Sequence, residues 1–288
     1  MKLPISILLL SLHIQAVRGA ELDSVLIEKL QSESASGDPT ALFELGKAYA
    51  SGNGVVRDER KAFDCYRKSA ELGNAKAQNN LGRIYFNGWG VEKDEGEAIR
   101  WFRRSAEQGA SLAQYTLGCM LADGKGAPKD IAGAVHWFKK SADQGYADAQ
   151  FRLGHLYETG AEGLPANAHE ASKWFAKAAT QNHPGAANNL GVMHEYGNAV
   201  ELSKTEAFRL YQLAAAGGDA KGMSNLGRCY AMAIGVTKNP LEAYRWLKRA
   251  SNRNEVTATN LLVDYKTGLS KEQIAQGEKL AADDEARK

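Results

Sequence analysis

Apolar residues recur along most of the chain in one order. Residues 75–110 show it most clearly: AKAQNNLGRIYFNGWGVEKDEGEAIRWFRRSAEQGA. Ala77, Leu81 and Tyr85 fall at i, i+4 and i+8, one face of a helix. A Gly-x-Gly turn interrupts the pattern, and Ala98, Trp101, Phe102, Ser105 and Ala106 then mark a second stripe at helical spacing. The same stripe returns as Ala134, Trp137, Phe138, Ala142 and as Ala171, Trp174, Phe175, Ala178. A Leu-Gly pair at Leu45-Gly46, Leu81-Gly82, Leu117-Gly118, Leu153-Gly154, Leu190-Gly191 and Leu226-Gly227 fixes the register, with spacings of 36, 36, 36, 37 and 36 residues. The pattern predicts six helix–turn–helix units. Gly inside a helix costs roughly 1 kcal/mol against Ala, so its recurrence beside Leu predicts a close approach of two helix backbones.

A Gly-x-Gly next to a helix raises the alternative of a phosphate-binding loop. Such a loop needs a preceding strand, and a Walker loop also ends in Gly-Lys-Ser/Thr; neither pattern is present. The first Gly of each pair lies where the first helix must stop, and there it suits a left-handed C-cap. Asp58, Asp94, Asp130, Asn167, Ser203 and Asn239 follow as N-caps, and Glu97, Glu170, Glu206 and Glu242, each three residues on, complete capping boxes. Pro240 sits at a first helical position, where its missing N–H costs nothing. The glycine pairs are therefore read as turns between helices.

With Leu-Gly-x-x-Tyr, Gly-x-Gly-Val, Asp-x-x-x-Ala-x-x-Trp-Phe and Ala-x-x-Gly in fixed register, the chain resembles the Sel1-like repeat family, relatives of tetratricopeptide repeats. The resemblance implies an all-α fold, a right-handed α-solenoid of stacked helix-turn-helix repeats. Six repeats are expected over 37–254, at about 37–74, 75–110, 111–146, 147–183, 184–219 and 220–254. A capping helix is expected over 20–36, with Leu22, Val25, Leu26 and Leu30 facing the array. A degenerate seventh repeat and a closing helix are expected over 255–288. Leu121 and His194 stand where Tyr is expected, Ala199 and Ala233 replace turn glycines, and Leu210-Tyr211 replaces Trp-Phe.

Residues 1–19 carry Lys2, the apolar run Ile5 to Leu12 and small residues before a cleavage point, the pattern of a secretory signal peptide. Export to a periplasmic or extracellular location is expected. The apolar run is far short of the ~20 residues that span a bilayer, so no integral membrane span is expected after its removal. Losing Lys2 and Arg18 lowers the basic count from 36 to 34 against 34 acidic residues. A balance near zero gives no general attraction to nucleic acid.

Nothing in the chain assembles a reaction centre. The histidines (His13, His136, His155, His169, His183, His194) are scattered, with no HExxH, no paired-Cys zinc spacing, no Gly-x-Ser-x-Gly and no Ser-x-x-Lys. Cys65, Cys119 and Cys229 are read as three separate buried residues. No cofactor, metal or catalytic residue is expected. Cysteine-rich members of the wider family are linked to β-lactam binding or hydrolysis, so a cell-wall or β-lactam ligand binder or hydrolase is the alternative reading. The paired cysteines of those members are absent here.

The leading reading is a non-catalytic scaffold that binds a protein or peptide. By analogy with tetratricopeptide arrays, first helices line a concave face. Positions two before the Leu, one after the Gly and four after the Gly then point to the groove. The candidates are Phe43, Asn79, Arg83, Phe86, Tyr115, Phe151, His155, Glu158, Asn188 and Arg228, with Lys47, Cys119, Val192, Glu195 and Ser224 at equivalent positions. Aromatics beside Arg, Asn and His suit a peptide-binding strip, with Tyr115 and Phe151 as its centre; packing of each aromatic against the next repeat is the competing expectation.

Overall fold

The computed structural model describes residues 25–161 and 163–286. The expected signal peptide and Leu22 lie outside them. Residues 25–35 form helix α1. Fourteen helices follow: α2 (Pro39–Ser51), α3 (Glu59–Glu71), α4 (Ala75–Asn87), α5 (Glu95–Glu107), α6 (Ser111–Asp123), α7 (Ile131–Asp143), α8 (Ala147–Thr159), α9 (Ala168–Thr180), α10 (Pro184–Tyr196), α11 (Lys204–Ala216), α12 (Ala220–Met232), α13 (Pro240–Ser251), α14 (Val256–Lys266) and α15 (Lys271–Ala286). The fold is all-α; among the described residues the one β feature is an isolated bridge between Ala161 and Leu164. The chain divides into two compact units, with the boundary between Trp137 and Phe138 inside α7. In each unit, consecutive helices pack as hairpins and each hairpin stacks on the next.

Every first helix stops where the sequence places its turn. Gly52, Gly88, Gly124 and Gly197 hold left-handed C-caps. Ala233 holds the same cap at φ 57°, and Ala199 has φ 58° at the second glycine position. The two departures from glycine thus change the residue and keep the backbone.

The expected N-caps also form. Asp58, Asp94, Asp130, Asn167, Ser203 and Asn239 each accept a hydrogen bond from the backbone N–H three residues on, at 2.8–3.2 Å. The reciprocal half of the capping box does not form. Each N-cap N–H is already spent on the preceding helix: Asp94 donates to Tyr85 O at 2.9 Å and Ser203 to His194 O at 2.9 Å. The glutamates turn outward instead, Glu97 to Arg100, Glu170 to Lys173, Glu206 to Arg209 and Glu242 to Arg245. The accepting carbonyls belong to Tyr49, Tyr85, Leu121, Tyr157, His194 and Tyr230. Because the bond uses the main chain, Leu121 and His194 replace Tyr at no cost to the turn.

Four of the Leu-Gly glycines, Gly46, Gly82, Gly154 and Gly191, make room for a ring. A Cβ on Gly82 would stand 2.9 Å from the Phe102 ring, and one on Gly154 would stand 2.5 Å from Phe175. At these positions the helix backbone lies on an aromatic face of the second helix; at Gly227 an added Cβ would stand 3.0 Å from the backbone N of Leu247, so there the expected close approach of backbones is met. Phe102 and Phe175 are fully buried. Polar ties repeat at the same register: Gln78 donates to Ala70 O and Gln114 to Ala106 O, both at 3.1 Å, and Gln150 donates to Ala142 O at 3.0 Å.

The ends differ from expectation in one detail. On α1, Ile27 is buried against Leu45 and Ala48 with Leu30 beside it. Val25 and Leu26, expected to face inward, are exposed, because the face centred on Ile27 and Leu30 is the one that meets α2. At the other end Arg245 grips Asp284 through Nε and Nη2, both at 2.7 Å, and Tyr244 donates to Glu278 at 3.1 Å. These bonds fix α15 against α13.

Candidate functional site

In the first unit, α4 separates two clefts. One, about 500 Å3, lies between α3 and α4 and is walled by Phe63, Tyr66, Ile84 and Trp89. The other, about 360 Å3, lies between α4 and α6 and is walled by Phe86, Leu112, Met120 and Lys125. Arg83 lines both. Its guanidinium lies 5.4 Å from the centroid of the Trp89 ring, and Trp89 is 51% exposed. Among the described residues no carboxylate pairs with Arg83. The neighbouring charges are paired, Arg57 with Glu59 at 2.6 Å and Lys125 with Asp123 at 2.8 Å. The free charge of the two clefts is therefore positive. Phe86 sits between Lys93 and Lys125, whose ammonium groups lie 5.7 and 6.0 Å from its ring centre.

Two candidates in this unit are not on the surface. Phe43, 8% exposed, turns inward onto Tyr66, with ring centres 5.9 Å apart. Asn79 is 8% exposed, and its Oδ1 is buried with no hydrogen-bond partner at the floor of the α4–α6 cleft. Both belong to the packing beneath the groove, Phe43 in the core cluster of Tyr66 and Leu81 and Asn79 at the cleft floor. Tyr115, on α6, is half-buried.

The second unit uses the same positions differently. Phe151 packs forward, with its ring 4.5 Å from His183 in a stacked arrangement and 6.0 Å from Phe175. His183 caps α10 by accepting from Ala186 N at 3.1 Å. Phe151 thus serves the repeat junction. Asn188 is 5% exposed and accepts from Asn225 at 2.9 Å. Arg228 is committed to Glu195 in a bidentate pair at 2.8 and 2.6 Å, and Tyr211 donates to the same carboxylate at 2.7 Å. Burial pushes the Glu195 carboxyl up, but the hydrogen bonds from Arg228 and Tyr211 more than offset this and hold it below the usual carboxylate range. Burial and the Glu195 contact push the Tyr211 hydroxyl far up, so it stays a donor. Asn188 and Arg228 are therefore corrected from groove contacts to structural ties. His155 and Glu158 are exposed on α8. Tyr115 and Phe151 belong to different units.

Of the residues that line the two clefts, Arg83 and Phe86 are among the sequence candidates, and Trp89, Tyr66, Phe63 and Lys125 are not. Trp89 occupies the variable place inside Gly-x-Gly, and Tyr66 stands in the core stripe, so neither carries a groove signal. Of the three free cysteines, expected to be buried, only Cys229 is; Cys65 and Cys119 are half-buried, and burial pushes the Cys229 thiol up to about 12. Among the described residues no group of three or more His, Cys, Asp or Glu side chains is placed to hold a metal ion, and no helix is long and apolar enough to cross a membrane.

Comparison with solved structures gives a Sel1 repeat protein from Oxalobacter formigenes, 29% identical, with a TM-score of 0.72, covering 82% of this chain and 68% of that one. A protective antigen present in uropathogenic Escherichia coli strains is 27% identical over 88% of this chain and 70% of that one, at a TM-score of 0.40. An immunity protein from Pseudomonas aeruginosa is 21% identical over 80% of this chain and 83% of that one, at a TM-score of 0.44. No curated protein matches the chain. The Sel1 repeat model matches residues 39–74, 75–109, 111–146, 147–183, 184–219 and 220–255. With six matched repeats covering most of its length, the chain belongs to the Sel1 repeat family.

Proposed function

We propose that the protein is an exported, non-catalytic scaffold that binds a protein or peptide along the α4 face of its first unit. Repeat folds of this family are typical of protein–protein interaction scaffolds. The observation that carries the reading is Arg83, an exposed and unpaired cation set between two aromatic-walled clefts. Apolar anchors around a few polar groups are what binding hot spots are made of. The pattern of residues 1–19 supports export.

The test uses the mature protein as bait in an extract of the native host. Arg83→Gln and Phe86→Ala should each remove the captured partner while helicity stays unchanged; His155→Ala, in the second unit, should not. A partner that remains on both α4 variants would place binding elsewhere. Export is checked by sequencing the N-terminus of the native protein. A start at about residue 20 is expected, and a retained Met1 would overturn it.

A further inference from the structure

The repeat register brings the same side-chain pair together twice. Tyr66 stands 21 residues after Leu45, and Tyr211 stands 21 after Leu190. Arg83 stands two residues after Leu81, and Arg228 two after Leu226. Each pair joins the second helix of one repeat to the first helix of the next, α3 to α4 and α11 to α12. The other repeats carry Phe or Leu at the tyrosine position and Lys, Cys, His or Val at the arginine position. The two tyrosines are seated alike: a Cβ on Gly46 would meet the Tyr66 ring at 2.9 Å, and one on Gly191 would meet Tyr211 at 2.8 Å.

What lies between Tyr and Arg differs. In the second unit Glu195, five residues after Leu190, supplies a carboxylate to both. In the first unit the residue five after Leu45 is Ala50. The space is the 500 Å3 cleft, with Ala50, Tyr66 and Arg83 all on its wall. Arg83 has no carboxylate partner there among the described residues. Asn80 lines the same cleft beside Tyr66 and Arg83.

We infer that the α3–α4 cleft is a carboxylate site, and that its occupant is an acidic side chain of a protein partner. Arg83 would take the carboxylate in a bidentate pair and Tyr66 would donate to it, as Arg228 and Tyr211 do with Glu195. Charge-assisted, bidentate bonds of this kind combine strength with orientation. The cleft is larger than a carboxylate requires, and Phe63, Ile84 and Trp89 line the remainder. That lining suits the stem of an acidic side chain and its apolar neighbours. The identity of the occupant rests on the scaffold reading above; the carboxylate chemistry does not.

The test is a titration of the full mature chain, followed at the side-chain Nε–H resonance of Arg83, which Arg83→Gln identifies by its loss. The probes are acetyl-Leu-Glu-Leu-amide, acetyl-Leu-Gln-Leu-amide and acetyl-Leu-Leu-Leu with a free C-terminus. The Glu peptide should bind at least about tenfold more tightly than the Gln peptide, the scale of one charge-assisted hydrogen bond. Backbone amide shifts on α3 and α4 should show the same loss of affinity in Arg83→Gln. Ala50→Glu should fill the cleft from within, abolish peptide binding and raise the melting temperature. Should Ala50→Glu not fold, Arg83→Gln, at an exposed position, decides alone. Acetate should restore the melting temperature of Glu195→Ala more than chloride at equal ionic strength, because that variant opens the same site in the second unit.

Equal affinity for the Glu and Gln peptides, or unchanged binding by Arg83→Gln, overturns the carboxylate site. Preference for the free C-terminus overturns the assignment to a side chain. Peptide discrimination together with a host partner that ignores Arg83→Gln would sink the scaffold reading and leave the carboxylate site standing. Loss of the host partner without peptide discrimination would do the reverse.

Discussion

The two units share one framework and spend their first-helix side chains in opposite ways. Both terminate helices with left-handed caps, both tie each N-cap N–H to a carbonyl of the preceding helix, and both set rings on Leu-Gly glycines, Gly46 and Gly82 in the first and Gly154 and Gly191 in the second. In the second unit Arg228 and Tyr211 close on Glu195 and Asn225 closes on Asn188, while His155 and Glu158 stay exposed. In the first, Arg83 stays free and clefts open on either side of α4. Main-chain bonds and ring packing hold the repeat, so the outer positions are left to become either internal ties or a site. At the position of Glu195 the first repeat carries Ala50, on the wall of the cleft that holds Tyr66 and Arg83.

The largest effect should come from removing the carboxylate that closes the second unit. Glu195→Ala leaves the Arg228 guanidinium and the buried Tyr211 hydroxyl without their acceptor. Breaking one partner of a buried pair costs about 3–5 kcal/mol. Arg83→Gln, at the matching position of the first unit, should stay within about 0.5 kcal/mol of the parent, as surface substitutions do. Repeat arrays unfold by neighbouring units, so hydrogen exchange on α10 to α12 and on α3 to α4 is the proper measurement. Equal losses in the two regions would erase the contrast.

The same pair predicts an acid dependence confined to one unit. The folded Glu195 carboxyl titrates below its ordinary value of 4.5. Its contribution is fully present above that value and is lost as pH falls below it through the folded value. Protection of α10 to α12 should therefore weaken on acidification below pH 4.5, and Glu195→Gln should remove that part of the slope. A wild-type slope that survives in Glu195→Gln would assign the acid sensitivity to other carboxylates.

Most of the fold was legible because it rests on signals with a fixed period. Leu-Gly, the turn glycines and the N-cap residues each act within one repeat; a single sequence shows the first and last six times and the turn glycines in most repeats. The site was legible only in part. Arg83 and Phe86 follow from the helix face, but the fate of Arg228 depends on Glu195 one repeat earlier and on Tyr211 between them. Such a pairing joins residues 33 apart across a helix junction. Counting positions from each Leu exposes it only when the neighbouring repeat is read at the same time. Phe43 and Phe151 misled because an aromatic at a groove position looks the same whether it faces outward, packs on Tyr66 or stacks on His183.

A moderate effect should separate the two units at their glycines. Adding a methyl to a packed contact costs about 1–3 kcal/mol, while replacing a helical Gly by Ala returns roughly 1 kcal/mol. The contact is tighter at Gly154, 2.5 Å from Phe175, than at Gly82, 2.9 Å from Phe102. Gly154→Ala should lose more stability than Gly82→Ala, by on the order of 1 kcal/mol. Reversal of that order in urea unfolding would mean that ring mobility, rather than distance, governs the contact.

The smallest effect concerns the cap where the second unit departs from glycine. Ala233 holds φ 57° at the end of α12, the conformation Gly88 holds at φ 72° at the end of α4. A left-handed conformation costs a non-glycine residue about 1–2 kcal/mol. Glycine gives back about 0.4–1 kcal/mol through the freedom it adds to the unfolded chain. Ala233→Gly should therefore stabilise α12 and its neighbours by roughly 0.5–1 kcal/mol, and Gly88→Ala should cost α4 a similar amount. Hydrogen exchange at the last turn of each helix reads both. A destabilising Ala233→Gly would mean that the methyl group contributes more to packing than its backbone costs, and that the second unit has adapted this turn as it has adapted its groove.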